Sequence, residues 1–577
     1  MKSKYDKCTM DMFGHALPPI PETGWKPPTI FPRLDAAKAI CIDCETYDPQ
    51  LLTHGPGWGR GVGHIVGIAV GTDDGHRWYF PMRHTVGAGN LPPEAVLDWA
   101  REEFGRAHQP KLFANSQYDL GWLAQEGVTV AGDIIDVQIA EPLIDEHAKS
   151  YSLDSLAEKY LGEGKVDEAL YDWCYKAYGG KPGRPQAGNI YRAPPCLVGP
   201  YAEGDVDLPF RVWEHQRRSI HVQELEQVFE IESRIPRILV GMRMRGIRVD
   251  VDGAVRLRDE LILKRDGLKK AAGVSDIWAA DAIARAMKGR DYPLTPTGKP
   301  SFTAEWLARH APHIAQARKY DKAISTFIEG YILDKHVNGR IYGEFRQLAA
   351  DDGGTIVGRF SSKNPNLENI PARDPELGPL IRGLYLPEEG HRWTTYDFSQ
   401  IQFRIMTHYA IGKGAEEARQ KYRDNPATDY HSMTQQLIKE TTGIELDRKP
   451  VKNINFGLAF TMGIGKLAET LGRTVEEARP LIDAYHEGLP FVRQTANAVS
   501  NVAQQRGYIK GIIGRRHRFI HWEAAKYEQR GEVSTDEAKM REKYGRIVRA
   551  YTQNGLNRLA QDGEGSHVKK ALGDCHA

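Results

Sequence analysis

From Ala36 onward, short runs of aliphatic and β-branched residues are separated by turn signals: Ile40 to Asp43, Ile65 to Val70, a turn at Asp73-Asp74-Gly75, then Trp78 to Phe80. The pattern predicts three strands. Strand and helical segments then alternate to about His221, an α/β arrangement. Ahead of it, Pro18, Pro19, Pro21, Pro27, Pro28 and Pro32 break any regular element, so residues 1–35 read as a Pro-rich leader on the surface. Between Gly162 and Pro200 a Gly/Pro-rich stretch reads as an insertion or long loop. After Val222 the periodicity turns helical, with one more strand at Gly246 to Asp250. Further on, Trp393 to Tyr396 reads as strand, and Ile401, Ile405 and His408 recur at helical spacing. Asp397 is thereby placed at a strand-to-helix junction. No solenoid-type repeat is present.

Composition narrows the class. The 577 residues are 41% hydrophobic and 27% charged, which predicts several packed globular units. No apolar run approaches the length that spans a bilayer and the N-terminus has no signal-like segment, so a cytoplasmic setting is expected. The net charge of +1 excludes nothing, because acidic metal sites and basic tracks cancel in the sum. Six scattered cysteines do not make a disulfide framework. Cys41 and Cys44 imitate a CxxC, but positions three apart on a strand face opposite ways, which reads as buried small hydrophobes.

Two constellations carry chemistry. In the first, Asp43 and Glu45 are two apart on an otherwise apolar strand and project from one face, where they can share a divalent cation or stand as a satisfied edge pair. Asp119 begins a helix after the strand-like Lys111 to Ala114, and Tyr201 and Asp205 lie four apart on one helix face. In the second, Arg448, Lys452, Phe456 and Phe460 are each four apart and form a helical stripe, basic at its start and aromatic beyond. Pro450 is tolerated in a first turn. Cations at a helix N-terminus oppose the macrodipole, unless a polyanion docks there; the other reading is a solvated basic turn followed by core phenylalanines. Asp397 alone reads equally as a helix N-cap or as a metal-seeking carboxylate.

In order and spacing, the first set resembles the three exonuclease motifs of the DEDD family, of the tyrosine-bearing kind, on a ribonuclease-H-like fold. That resemblance implies that Asp43, Glu45, Asp119 and Asp205 hold two divalent ions, Mg2+ or Mn2+, and that Tyr201 orients the attacking water as nucleotides leave a DNA 3′ end. Asp397 to Arg404 together with Asp447 to Phe460 is similar to motifs A and B of family A DNA polymerases, of the bacterial DNA polymerase I large-fragment type. Gly358 to Pro371, Asp429 to His431, Gly507 to Ile509 and Gly514 to Arg516 extend the likeness, which covers about Ala36 to Lys570. It implies a right-hand α+β domain at 223–577 behind an exonuclease domain at 36–222, with thumb about 251–335, palm 336–409 and 505–577, and fingers 410–504.

By the same resemblance Asp397 is a palm metal ligand, Arg448, Lys452 and His431 meet the incoming triphosphate, and Phe456 packs on the nucleotide. Arg359, Asn366, Asn369, Asn557 and Gln561 would hold the primer-template without reading sequence. Three departures stand out. Gln402 replaces the family's usual Glu, which predicts weaker exclusion of ribonucleotides, and Phe460 replaces the usual Tyr. The family's His-Asp-Glu motif, source of the second palm carboxylate, does not follow the helix near Asn557; Asp562, Glu564 and Asp574 come too early to replace it. This leads to three expectations: a proofreading family A polymerase whose palm a second polypeptide completes or whose reading frame is interrupted, a 3′–5′ exonuclease with an inactive polymerase part, or a non-catalytic primer-template binder.

Overall fold

The computed structural model describes residues 17–576 apart from Lys288, Arg290, Asp352 and Thr461; the start of the expected leader, Cys8 included, lies outside the described residues. A five-stranded sheet forms the N-terminal unit, with order β3-β2-β1-β4-β5. Its strands are β1 (Ile40–Tyr47), β2 (His64–Thr72), β3 (Arg77–Pro81), β4 (Lys111–Phe113) and β5 (Ile134–Asp136). The first three pair antiparallel, while β1–β4 and β4–β5 pair parallel. Alternation along β1 explains its place at the centre. Ile40, Ile42 and Cys44 enter one core with Trp58, Phe80 and Trp122, while Cys41 enters a second core with Leu112 and Tyr79 on the other face. The two cysteines are therefore buried in different cores, as their spacing predicts.

The expected long loop at 162–200 is mostly helical. Glu168–Tyr178 is an α-helix, Arg184–Arg192 a 3-10 helix, and α2 (Pro195–Val222) starts before the stretch ends. Leu170, Tyr171, Trp173, Ile190 and Leu197 cover the second sheet face, and this burial outweighs the turn signal of Gly179 and Gly180. The helix that carries Asp119 is α1 (Ser116–Gln125).

The remaining residues follow α3 (Glu226–Arg245), and a small sheet pairs Tyr385–Leu386, Ile247–Val249 and Arg340–Ile341. Helices Val251–Ala271 and Pro312–Lys322 pack together beside it. A separate core joins α4 (Ile401–Tyr409), helix Tyr430–Thr442 and α5 (Arg448–Ala459) through Phe403, Tyr430, Ile438, Val451 and Ile454. The last helix, α6 (Gly555–His576), packs across α4 and α3. Among the described residues no helix is long and apolar enough to cross a membrane.

One expected element is missing. Residues 391–398 form no strand or helix, and Trp393, Tyr396 and Phe398 are exposed. The Trp393 indole donates to the Tyr385 carbonyl at 3.2 Å, but no described strand pairs its backbone with this segment, and propensity alone does not make a strand. Asp397 therefore stands in an open segment rather than at a strand end. It is also no helix cap: α4 begins at Ile401 behind Gln400, whose φ is 53°.

Candidate active sites

β1 presents Asp43 and Glu45 to the N-terminus of α1 and to α2. The ligand atoms of Asp43, Glu45 and Asp205 all lie within 4.8 Å of one another. Gly67 sits opposite Glu45 on β2, where a Cβ would fall 2.1 Å from Oη of the buried Tyr79 on β3, so a side chain at Gly67 would displace that ring. Asp136 positions α1 by accepting hydrogen bonds from Ser116 N at 2.6 Å and Asn115 N at 3.2 Å. Asp119, one turn in, accepts from Cys44 N at 3.1 Å and is buried beside the cluster, outside the 4.8 Å group.

Burial, and then Asp205, push the Asp43 carboxyl up to about 7. Glu45 is raised by burial and by Asp43, and Asp119 likewise by burial and by Asp43. So many like charges in one buried site call for cations. Hard carboxylate oxygens suit Mg2+ or Mn2+, so the residues present fit the expected ions. Tyr201 is held far above the ordinary phenol value by burial and by Asp205, which keeps its proton on. Lys165 was not foreseen: its Nζ lies 2.7 Å from Asp205 Oδ2. Burial opposes its charge, but Asp205, Asp43 and Glu45 outweigh burial and raise its pKa. No periodicity marks Lys165 in a sequence stretch rich in glycine and proline.

The second site is an open cleft. Asp397, Phe398, Arg404, His408, Ile512 and His567 line it. On α5 the basic stripe is real and exposed at its start, with Arg448 ion-paired to Asp429. His431 Nδ1 meets Asn455 Nδ2 at 2.8 Å, and burial lowers the His431 pKa. The Phe456 ring stands 4.9 Å from Phe403, 5.8 Å from His431 and 6.1 Å from Phe460, and Lys452 Nζ lies 5.6 Å from the Phe456 centroid. Arg448, Lys452, His431, Phe456 and Phe460 are thus brought together. Phe456 and Phe460 are half-buried and pack against the core that joins α4, helix Tyr430–Thr442 and α5.

Gln402 Nε2 donates to Glu564 Oε2 at 2.7 Å, and Arg359 is ion-paired with the same carboxylate. Glu564, a tenuous substitute ligand by sequence, thus links an expected nucleotide-binding residue to an expected DNA-binding one. Asp562 is spoken for: fully buried, it pairs with Arg515 at 2.8 Å and faces His517 at 3.6 Å. Asp574 pairs with Lys570 on the surface at 2.6 Å. Asn557 Oδ1 accepts from Gln561 Nε2 at 2.9 Å along α6, while Asn366 caps the short turn that carries Asn369.

Comparison with known proteins finds two families along the chain. Residues 28–220 match the family model for the 3′–5′ exonuclease, and residues 295–540 match that for DNA polymerase family A. The chain is 34% identical to a DNA-directed DNA polymerase of Pseudomonas phage M6, over 96% of this chain and 88% of the relative. It is 31% identical to DNA polymerase DpoZ of Salmonella phage PMBT28, over 85% and 83%. The fold is that of a solved POL domain of Pol1 from M. smegmatis in complex with DNA primer-template and dNTP, with a TM-score of 0.67 at 21% identity, covering 93% of this chain and 85% of that one. None of these names points to a second polypeptide, and together they favour the polymerase reading over a nuclease alone or a binding platform. The chain belongs to DNA polymerase family A and carries a 3′–5′ exonuclease domain ahead of its polymerase domain.

Proposed function

We propose that this chain, in the cytoplasm of a bacterial or phage-infected cell, extends a DNA primer from deoxynucleoside triphosphates at the open cleft and trims that primer's 3′ end at the β1 carboxylates. The observation that carries the reading is the convergence of Asp43, Glu45 and Asp205 within 4.8 Å. Asp43, Glu45, Asp119 and Asp205 would hold divalent ions, which when bound activate water and stabilise the leaving oxygen. Tyr201 keeps its phenol proton and so orients the water by hydrogen bonding instead of acting as a base.

In the polymerase domain Arg448 and Lys452 bind the triphosphate at the start of α5, with buried His431 behind them. Phe456 and Phe460 form the apolar wall for the nucleotide. Asp397 supplies a metal-binding carboxylate in the cleft. Arg359, Asn366, Asn369, Asn557 and Gln561 hold primer and template, and Gln402 stands nearest the sugar. We assign the thumb to about 251–335, the palm to 336–409 and 505–577, and the fingers to 410–504.

Two variants separate the activities. Arg448→Ala lowers primer extension about a hundredfold and leaves 3′–5′ hydrolysis intact, whereas Asp43→Ala does the reverse. Loss of both activities in either variant, or of neither, overturns the assignment.

A further inference from the structure

The exonuclease cluster contains a side chain that neither its motifs nor the family matches assign. Lys165 lies between helices Leu153–Leu161 and Glu168–Tyr178. Its backbone N–H donates to Asp154 Oδ1 at 2.9 Å, which anchors the connection. From there the ammonium reaches inward to within 2.7 Å of Asp205 Oδ2 and 5.4 Å of the Tyr201 ring centroid, with the side chain only 20% exposed. It thus touches the two cluster residues supplied by α2.

A lysine among metal-binding carboxylates competes with the ion for the same oxygens. Its retention therefore needs a reason. Four carboxylates already balance two dications, so the ammonium is a positive charge in excess, which suits a site whose substrate is a phosphodiester anion.

We propose that Lys165 is a positioning residue of the exonuclease site: it clamps one oxygen of Asp205, so that the other alone is offered to a divalent ion, and it braces Tyr201 alongside. The inference rests on the reading of Asp43, Glu45, Asp119 and Asp205 as ligands. Without the clamp both Asp205 oxygens are free and a competing charge is gone, so the site holds an ion more tightly. Asp205 and Tyr201 also lose their fixed relation, so hydrolysis slows. Binding and turnover move in opposite directions, which a space-filling lysine does not produce.

The test uses the full chain, with Mn2+ alone as the calorimetric probe and single-stranded DNA as the substrate in a separate assay. In Lys165→Met the Mn2+ dissociation constant falls roughly three- to tenfold. Its kcat for hydrolysis falls about tenfold or more, with KM within about twofold of the original. Lys165→Arg keeps the charge, holds Mn2+ as the original chain does and recovers part of kcat. The inference is overturned if Lys165→Met matches the original chain in both measurements, or if both Lys165 variants lose metal binding and turnover together. Asp43→Ala keeps the two readings apart. If it binds as many Mn2+ ions as the original chain and cuts DNA normally, the ligand assignment itself fails; if it loses the Mn2+ held at the β1 carboxylates and the cutting while Lys165→Met is normal, the role of Lys165 alone fails.

Discussion

Gln402 shows how one uncharged side chain depends on a charge elsewhere. Its amide donates to Glu564, and that carboxylate is also ion-paired with Arg359. A carboxylate thus stands beside this position, but on α6 instead of α4. Gln402→Glu sets two carboxylates against one guanidinium and is expected to cost about 1 kcal/mol. The double variant Gln402→Glu with Glu564→Gln only moves the charge between helices, so it regains the loss. Melting temperatures of the three proteins check the coupling. Sugar selectivity is the second readout: Gln402 excludes ribonucleotides less strictly than Gln402→Glu, and equal selectivity would contradict a role at the sugar.

Helices α3 and α6 are joined by buried charge. Lys569 Nζ lies 2.8 Å from Glu232 Oε1, and Arg515 pairs with both Glu232 and Asp562. Lys569 is wholly buried, and its pKa is held down to about 8 by that burial although Glu232 pulls it up. Such a network adds little net stability, yet breaking it exposes an uncompensated charge. Glu232→Gln strips both cations of a partner and is expected to cost about 3–5 kcal/mol, whereas Glu232→Gln with Lys569→Met costs less. Thermal scans that follow the polymerase domain distinguish the two; equal losses would mean that Glu232 and Lys569 are not coupled. None of this was legible in sequence, because Glu232 and Lys569 are 337 positions apart and only helix packing joins them. What was legible had short-range form: the Asp43–Glu45 alternation, the four-residue stripe of α5 and the Tyr201–Asp205 helix face. The strand read at Trp393 to Tyr396 failed for the opposite reason, since its propensity was local but its ladder required a neighbour.

At the scale of the molecule, the apolar contacts that join the two domains, such as Leu143 and Ile144 with Val228 and Leu348, are flanked by polar contacts around one arginine. Arg518, on strand Arg516–Arg518, is ion-paired with Glu146, also donates to Gln223, and donates to the Leu143 carbonyl at 3.2 Å, while its own carbonyl meets His147 Nε2 at 3.1 Å. Nearby, Asp351 accepts from Tyr151 N at 2.5 Å and Ser150 Oγ at 2.9 Å. The Glu146 side chain is only 3% exposed, so the pair is not a screened surface contact. Arg518→Ala leaves that carboxylate buried without its cation, which is expected to loosen the junction by about 3 kcal/mol without touching either cleft. An inter-domain contact of this kind opens before either core unfolds. Limited proteolysis should therefore cut residues 145–152 faster in Arg518→Ala, while hydrolysis of single-stranded DNA stays within about twofold, because the β1 cluster is built entirely inside the N-terminal sheet unit. Removal of a mispaired primer terminus is the more demanding reaction, because the 3′ end has to pass from one site to the other. It slows in the variant if the junction fixes their spacing, and an unchanged rate would show that the domains keep their relation without Arg518.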